Sequence, residues 1–253
     1  MLTRHTTAVG LAVVLGWLLG VVATALAQTA DGGFRIVKPN GPGPHPGVVF
    51  VSGCSGFNPS FAAGAYDRVA EQLRSHGYIV VFADYLGRWN LKSCAGASIT
   101  HADAAKEVVA ATAWLRSQPT ADPARITALG WSYGGGAVLV ALARYTEDQL
   151  GFARAIVYYP DCRSVRPWKT ASPVLMLLAG EDDVAPGKAC RQAAEKSAVP
   201  GAVKIVTYPG ALHGFDTSEL PPRMKYPGGT IGHHPEAAAA AWEEIQRFLR
   251  TPK

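Results

Sequence analysis

"RITALGWSYGGGAVLVALARY", residues 125–145, changes its period halfway along. Up to Leu129 it reads as the end of a short buried strand, and over residues 134–145 Val138, Leu139 and Leu142 recur at helical spacing. Between the two lies Gly130-Trp-Ser-Tyr-Gly134, a G-x-S-x-G sequence at a strand-to-helix turn. In such a turn the glycines stand where side chains would strike neighbouring backbone, and Ser132 is lifted to a strained crest. A serine held in that way is a candidate nucleophile. The plainer alternative is a Gly-rich turn that binds a phosphate at the helix N-terminus. No G-K-[ST] follows, and Gly134 to Gly136 fall inside the predicted helix, so phosphate binding ranks second.

The rest of the chain repeats the same alternation. Apolar runs predict buried strands at 47–52, 78–83, 153–159, 174–179 and 203–208, besides the one that ends at Leu129. Helical spacing predicts helices at 62–76, 102–118, 187–198 and 235–250, besides 134–145. Strands that are nearly all apolar and alternate with helices imply an α/β protein whose mostly parallel sheet is covered by helices on both faces. A length of 253 residues, 48% of them hydrophobic and 17% charged, suits one sizeable core.

Residues 1–27 stand apart. A weakly basic start at Arg4 is followed by an apolar stretch and then by Ala25-Leu-Ala27, the pattern of a cleaved secretory signal. A retained membrane span of about 20 apolar residues is the alternative, but alanines and glycines dilute the run. One domain is then expected over 28–253. Cleavage removes one Arg and no acid, so the formal charge of +5 becomes 5 − 1 = +4, with scattered basic residues and no nucleic-acid-binding run. After cleavage no membrane segment is expected. In an oxidising compartment the four cysteines, Cys54, Cys94, Cys162 and Cys190, fit two disulfides. Their spacing shows no zinc pattern, and no metal is expected.

A serine hydroxyl needs a base to take its proton. Of seven histidines, His213 alone sits just past the C-terminal end of a strand, in "YPGALHGFD" (208–216). His5 lies in the leader, His45 before the first predicted strand, His76 and His101 at helix ends, and the adjacent His233 and His234 before the last helix. An acid must orient the base, and "AGEDDVAP" (179–186) offers Glu181, Asp182 and Asp183.

Four blocks, "ADYLGR" (83–88), "ALGWSYGG" (128–135), "AGEDDVAP" and "YPGALHGFD", resemble in order and spacing those of the dienelactone hydrolase family, and the resemblance runs over most of residues 34–250. It implies an α/β-hydrolase fold, in which the order serine, acid, histidine is the expected one. It also implies a carboxylic ester or lactone as substrate and no cofactor. The family's acid stands four residues before a proline, which here selects Asp182, counting back from Pro186. The founding members carry cysteine where this chain has Ser132. They also carry a glutamate after the first core strand, where this chain reads "SGCSG" (52–56). Arg88 matches an arginine that holds a substrate carboxylate; a second such arginine has no counterpart, Thr217 standing in its place. The combination implies a serine esterase of broader type.

In this fold the oxyanion donors are expected to be the N–H groups of Tyr133 and Cys54. Trp89, Trp131 and Tyr159 are candidates for an apolar acyl pocket, the alternative being ordinary core positions. Strands 47–52 and 78–83 are expected to be neighbours, as are 154–159 and 174–179, so Cys54–Cys94 and Cys162–Cys190 demand least chain travel; buried free thiols are the alternative. Two rival functions use the same residues: a binding domain that has lost the chemistry, and an acyltransferase or perhydrolase in which another nucleophile replaces water. If the bridges clamp the oxyanion loop and the acid loop, reducing both should lower turnover before the chain unfolds. Activity indifferent to complete reduction would contradict that role.

Overall fold

The computed structural model describes residues 28–29, 33–197, 199 and 201–251; the leader assigned to 1–27 lies outside them. In chain order the elements are β1 (Gln28–Thr29), β2 (Arg35–Val37), β3 (His45–Val51), α1 (Ala65–Ser75), β4 (Ile79–Phe82), α2 (His101–Arg116), β5 (Ala121–Trp131) and α3 (Tyr133–Arg144). Then come α4 (Glu147–Leu150), β6 (Arg154–Tyr158), β7 (Val174–Ala179), α5 (Lys188–Glu195), β8 (Val203–Tyr208), β9 (Met224–Tyr226), β10 (Gly229–Ile231) and α6 (Pro235–Arg250).

Eight strands form one sheet in the order β1-β2-β4-β3-β5-β6-β7-β8. The run from β4 to β8 is parallel throughout. At one edge β2 and β1 pair antiparallel.

Each parallel strand divides its apolar residues between two cores. Val49 and Val51 of β3, Val81 of β4, Ala128 of β5 and Met176 of β7 pack with Val108 of α2, Val138 of α3 and Ala193 of α5. The intervening Val48, Phe50, Val80, Leu129 and Leu175 pack with Leu73 of α1 and with Ala241 and Ile245 of α6. The period of two is therefore present but hidden, because both faces are apolar and covered. The result is an α/β-hydrolase sheet with helices on both sides.

Several boundaries and short elements differ from the expectations, the four-residue helix α4 among them. The first helix begins at Ala65, not 62, because Gly64 adopts a left-handed φ of +82° and separates it from a short 3-10 turn, Ser60–Ala62. The antiparallel edge strands β1 and β2 and the β9–β10 hairpin had no recognised signal; each is two or three residues long. Helix α5 closes at Glu195.

Register and packing fix the point where the central strand hands over to its helix. Val51 of β3 lies opposite Gly130 of β5, and Trp131 lies opposite Tyr158 of β6. A Cβ on Gly134 would overlap the carbonyl oxygens of Val51 and Ser52. Since neither backbone can retreat within the sheet, Gly134→Ala should destabilise the fold by about 2–3 kcal/mol. Equilibrium denaturation checks this; an unchanged midpoint would contradict so close an approach.

Candidate active site

Ser132 stands between β5 and α3 with φ 50° and ψ −117°, a left-handed conformation that is costly for any residue with a Cβ. Its backbone is held from three sides. The Ser132 N–H donates to the Tyr158 carbonyl at 2.9 Å, and its own carbonyl accepts from Gly136 N–H at 2.9 Å and Asp161 N–H at 3.0 Å. Gly130 is needed below the crest, where a Cβ would come within 2.6 Å of the Gly134 carbonyl oxygen.

The loop after β8 brings His213 over this crest. Its Nε2 lies 2.8 Å from Ser132 Oγ, and its Nδ1 lies 2.8 Å from Asp182 Oδ2. A carboxylate at Nδ1 favours the tautomer protonated there, which leaves Nε2 as the acceptor facing the serine hydroxyl. Both His213 and Asp182 are buried. The other carboxylate oxygen of Asp182 accepts from Val184 N–H at 3.0 Å and Ala185 N–H at 2.7 Å, so the turn after β7 aims it. Its neighbours point elsewhere. Asp183 Oδ1 accepts from Thr230 N–H at 2.7 Å, and Glu181 lies exposed, 3.9 Å from Arg223.

The imidazole is also fixed from above. The His213 carbonyl accepts from Gly232 N–H at 3.0 Å, and the Tyr159 ring lies 4.5 Å from the imidazole, centre to centre. Tyr159 has a positive φ of 32°, another strained residue beside the crest.

Cys54 lies on the loop between β3 and α1, opposite the start of α3. That loop is tied by its backbone: Gly53 N–H donates to Tyr66 Oη at 2.9 Å, Tyr85 O–H donates to the Gly53 carbonyl at 2.9 Å, and Cys94 N–H donates to the Cys54 carbonyl at 2.8 Å. Burial pushes the Tyr66 and Tyr85 phenols far up, so both keep their protons. A disulfide joins Cys54 to Cys94, and a second joins Cys162 to Cys190. The Cys54 N–H has no acceptor among the described residues. That of Tyr133, at the first position of α3, has none within the helix by geometry.

A cleft with two branches opens at Ser132. One branch is mostly apolar and is lined by Phe61, Tyr66, Trp131, Tyr159, Leu220 and Ile231 among others. The second is mixed, with Ser93, Asp161, Arg163 and Lys225 set among apolar residues such as Phe61, Val184 and Met224. Trp131 and Tyr159 thus border the serine. Trp89 is 59% exposed and lies elsewhere.

The structure does not bring Arg88 to Ser132. A 3-10 turn, Gly87–Trp89, carries its side chain outward to Glu107 of α2, 3.4 Å away, beside a separate recess that includes Phe34 and Asp84.

One residue of this site went unrecognised in the sequence. Asp216 is buried at the wall of the apolar branch, where Oδ2 accepts from Trp131 Nε1–H at 2.8 Å and Oδ1 from Tyr159 O–H at 2.5 Å. Burial pushes its carboxyl up, against the pull of the two donors. It closes the block that contains His213, and that was the available signal: an acid three residues beyond the base, directly after the apolar Phe215.

Comparison with known proteins identifies the family and the fold. The model of the dienelactone hydrolase family matches residues 33–252. Among solved structures, a candidate dienelactone hydrolase from Klebsiella pneumoniae superposes with a TM-score of 0.68 at 17% identity, covering 87% of this chain and 92% of that one. The apo form of Thermogutta terrifontis esterase 2 gives a TM-score of 0.60 at 18% identity, covering 90% of this chain and 95% of that one. At such identities the structures speak for a shared fold.

Asp216→Ala would leave a buried indole N–H and a buried phenol O–H without an acceptor. The expected cost is on the order of 4 kcal/mol of stability, read from chemical denaturation; a change within about 0.5 kcal/mol, the usual range for surface positions, would contradict the bonding described.

Proposed function

This chain belongs to the dienelactone hydrolase family of carboxylic ester hydrolases, and from that premise we propose that it is an exported serine esterase working through Ser132, His213 and Asp182. One observation carries the reading: the unbroken line from Asp182 Oδ2 to His213 Nδ1 and from His213 Nε2 to Ser132 Oγ, with 2.8 Å at each step.

In the first half-reaction His213 Nε2 takes the serine proton as Oγ bonds to the ester carbonyl carbon. Asp182 accepts the hydrogen bond from His213 Nδ1–H and so stabilises the imidazolium. Negative charge gathers on the carbonyl oxygen, and the N–H groups of Tyr133 and Cys54 are assigned as its donors; one such donor is worth about 10²–10³ in rate. The tetrahedral centre collapses, the C–O bond to the alcohol breaks, and His213 returns its proton to the leaving oxygen. Water then attacks the acyl-serine by the same route, releasing the carboxylic acid and restoring Ser132.

Serine suits this arrangement better than the founding members' cysteine. The loop Ser52-Gly-Cys-Ser-Gly56 carries no carboxylate to activate a thiol, and His213 is already in bonding range of the hydroxyl. Export rests on the leader pattern at 1–27 together with two disulfides. The mature protein is then a single domain over 28–253. Among the described residues no helix is long and apolar enough to cross a membrane.

A panel of short p-nitrophenyl esters and lactones, assayed with wild type and Ser132→Ala, tests the proposal. At least one ester should be hydrolysed, with kcat reduced by about 10⁴-fold or more in the variant. Hydrolysis that persists in Ser132→Ala would remove the serine from the mechanism.

A further inference from the structure

We infer that the apolar branch takes an uncharged acyl group and rejects an anionic one, because Glu219 neutralises the branch's one arginine, Arg68. The inference rests on Ser132 being the nucleophile.

Arg68 projects from α1 into the wall of this branch and is the one Lys or Arg among the described residues that line it. Its Nε donates to Glu219 Oε1 at 3.0 Å and its Nη2 to Glu219 Oε2 at 3.1 Å, so one whole edge of the guanidinium is spent on a two-point ion pair. Glu219 is not a lining residue; its charge acts from behind the arginine. Asp216, the acid in the wall, has both oxygens engaged by Trp131 and Tyr159. It offers an entering carboxylate no free proton, and repulsion when ionised. Around these groups the wall is apolar, with Phe61, Val69, Leu220 and Ile231. An anionic acyl group would therefore shed its water and meet no uncompensated positive charge.

The acyl group is assigned to this branch because it must remain bound while the alcohol departs and water arrives. In the second branch Ser93, Asp161, Arg163 and Lys225 stand among apolar residues and offer polar partners to the departing alcohol and the arriving water.

The test compares p-nitrophenyl hexanoate with mono-p-nitrophenyl adipate, esters of equal chain length that differ by a terminal carboxylate. Wild type should prefer the hexanoate by about 100-fold in kcat/KM. Glu219→Gln keeps the side-chain shape but frees the charge of Arg68. It should raise kcat/KM for the adipate about tenfold and leave the hexanoate within about twofold. Arg68→Gln added to Glu219→Gln should abolish the gain, and Arg68→Gln alone, which leaves the charge of Glu219 unpaired, should strengthen the preference for the hexanoate.

A wild-type enzyme that accepts both esters within about threefold overturns the inference with no variant needed, and leaves the triad intact if Ser132→Ala is inactive. A Glu219→Gln effect equal on both esters also overturns it. Failure of wild type on the hexanoate while another ester of the panel is hydrolysed overturns this inference alone, whereas turnover that survives Ser132→Ala would overturn the triad reading and this inference with it.

Discussion

Gly134 packs so near the Val51 and Ser52 carbonyls that no side chain fits between helix α3 and strand β3. This contact sets where α3 begins, and therefore the height and direction of the serine two residues earlier. The left-handed φ of Ser132 is the consequence: a strand that ends against β3 and a helix that starts at once leave no unstrained path between them. The energy held in that turn is offset by the two apolar layers on either side of the sheet, which keep β3, β5 and β6 in register.

From that crest the remaining groups converge along the C-terminal edge of the parallel strands. The loop after β7 presents Asp182, the loop after β8 presents His213, and the loop after β3 presents the Cys54 amide. Each is fixed by bonds that do not take part in the proposed chemistry. Val184 and Ala185 amides aim Asp182, Gly232 holds the His213 backbone, and Tyr66, Tyr85 and Cys94 hold the loop after β3. Asp216 joins the strand below the serine to the residue packed on the imidazole. Preorganisation of this kind lets aligned dipoles act without reorganising during reaction.

The buried strands were legible in the sequence because a parallel sheet covered on both sides leaves continuous apolar runs, such as 174–179. The same property hid which residue faces which core. Short elements escaped notice: β2, β9 and β10 hold too few residues for a period to declare itself, and they take their shape from neighbours. His213 stood out by its place after a strand. Asp182 and Asp183 are alike in composition, and local spacing alone left them open; backbone donors at 184, 185 and 230 separate them in space. Arg88 matched a substrate-binding arginine by its block, but a block match fixes position along the chain and not the outward path of a 3-10 turn. Asp216 sat in plain view beside His213, yet its partners, Trp131 and Tyr159, lie 85 and 57 residues away.

The most direct test is a crystal structure of the protein after reaction with an alkyl p-nitrophenyl phosphonate. The account requires phosphorus bonded to Ser132 Oγ, with the phosphoryl oxygen about 2.7–3.1 Å from both the Tyr133 and Cys54 nitrogens. Phosphorus on another residue, or a phosphoryl oxygen turned away from those two amides, would contradict it.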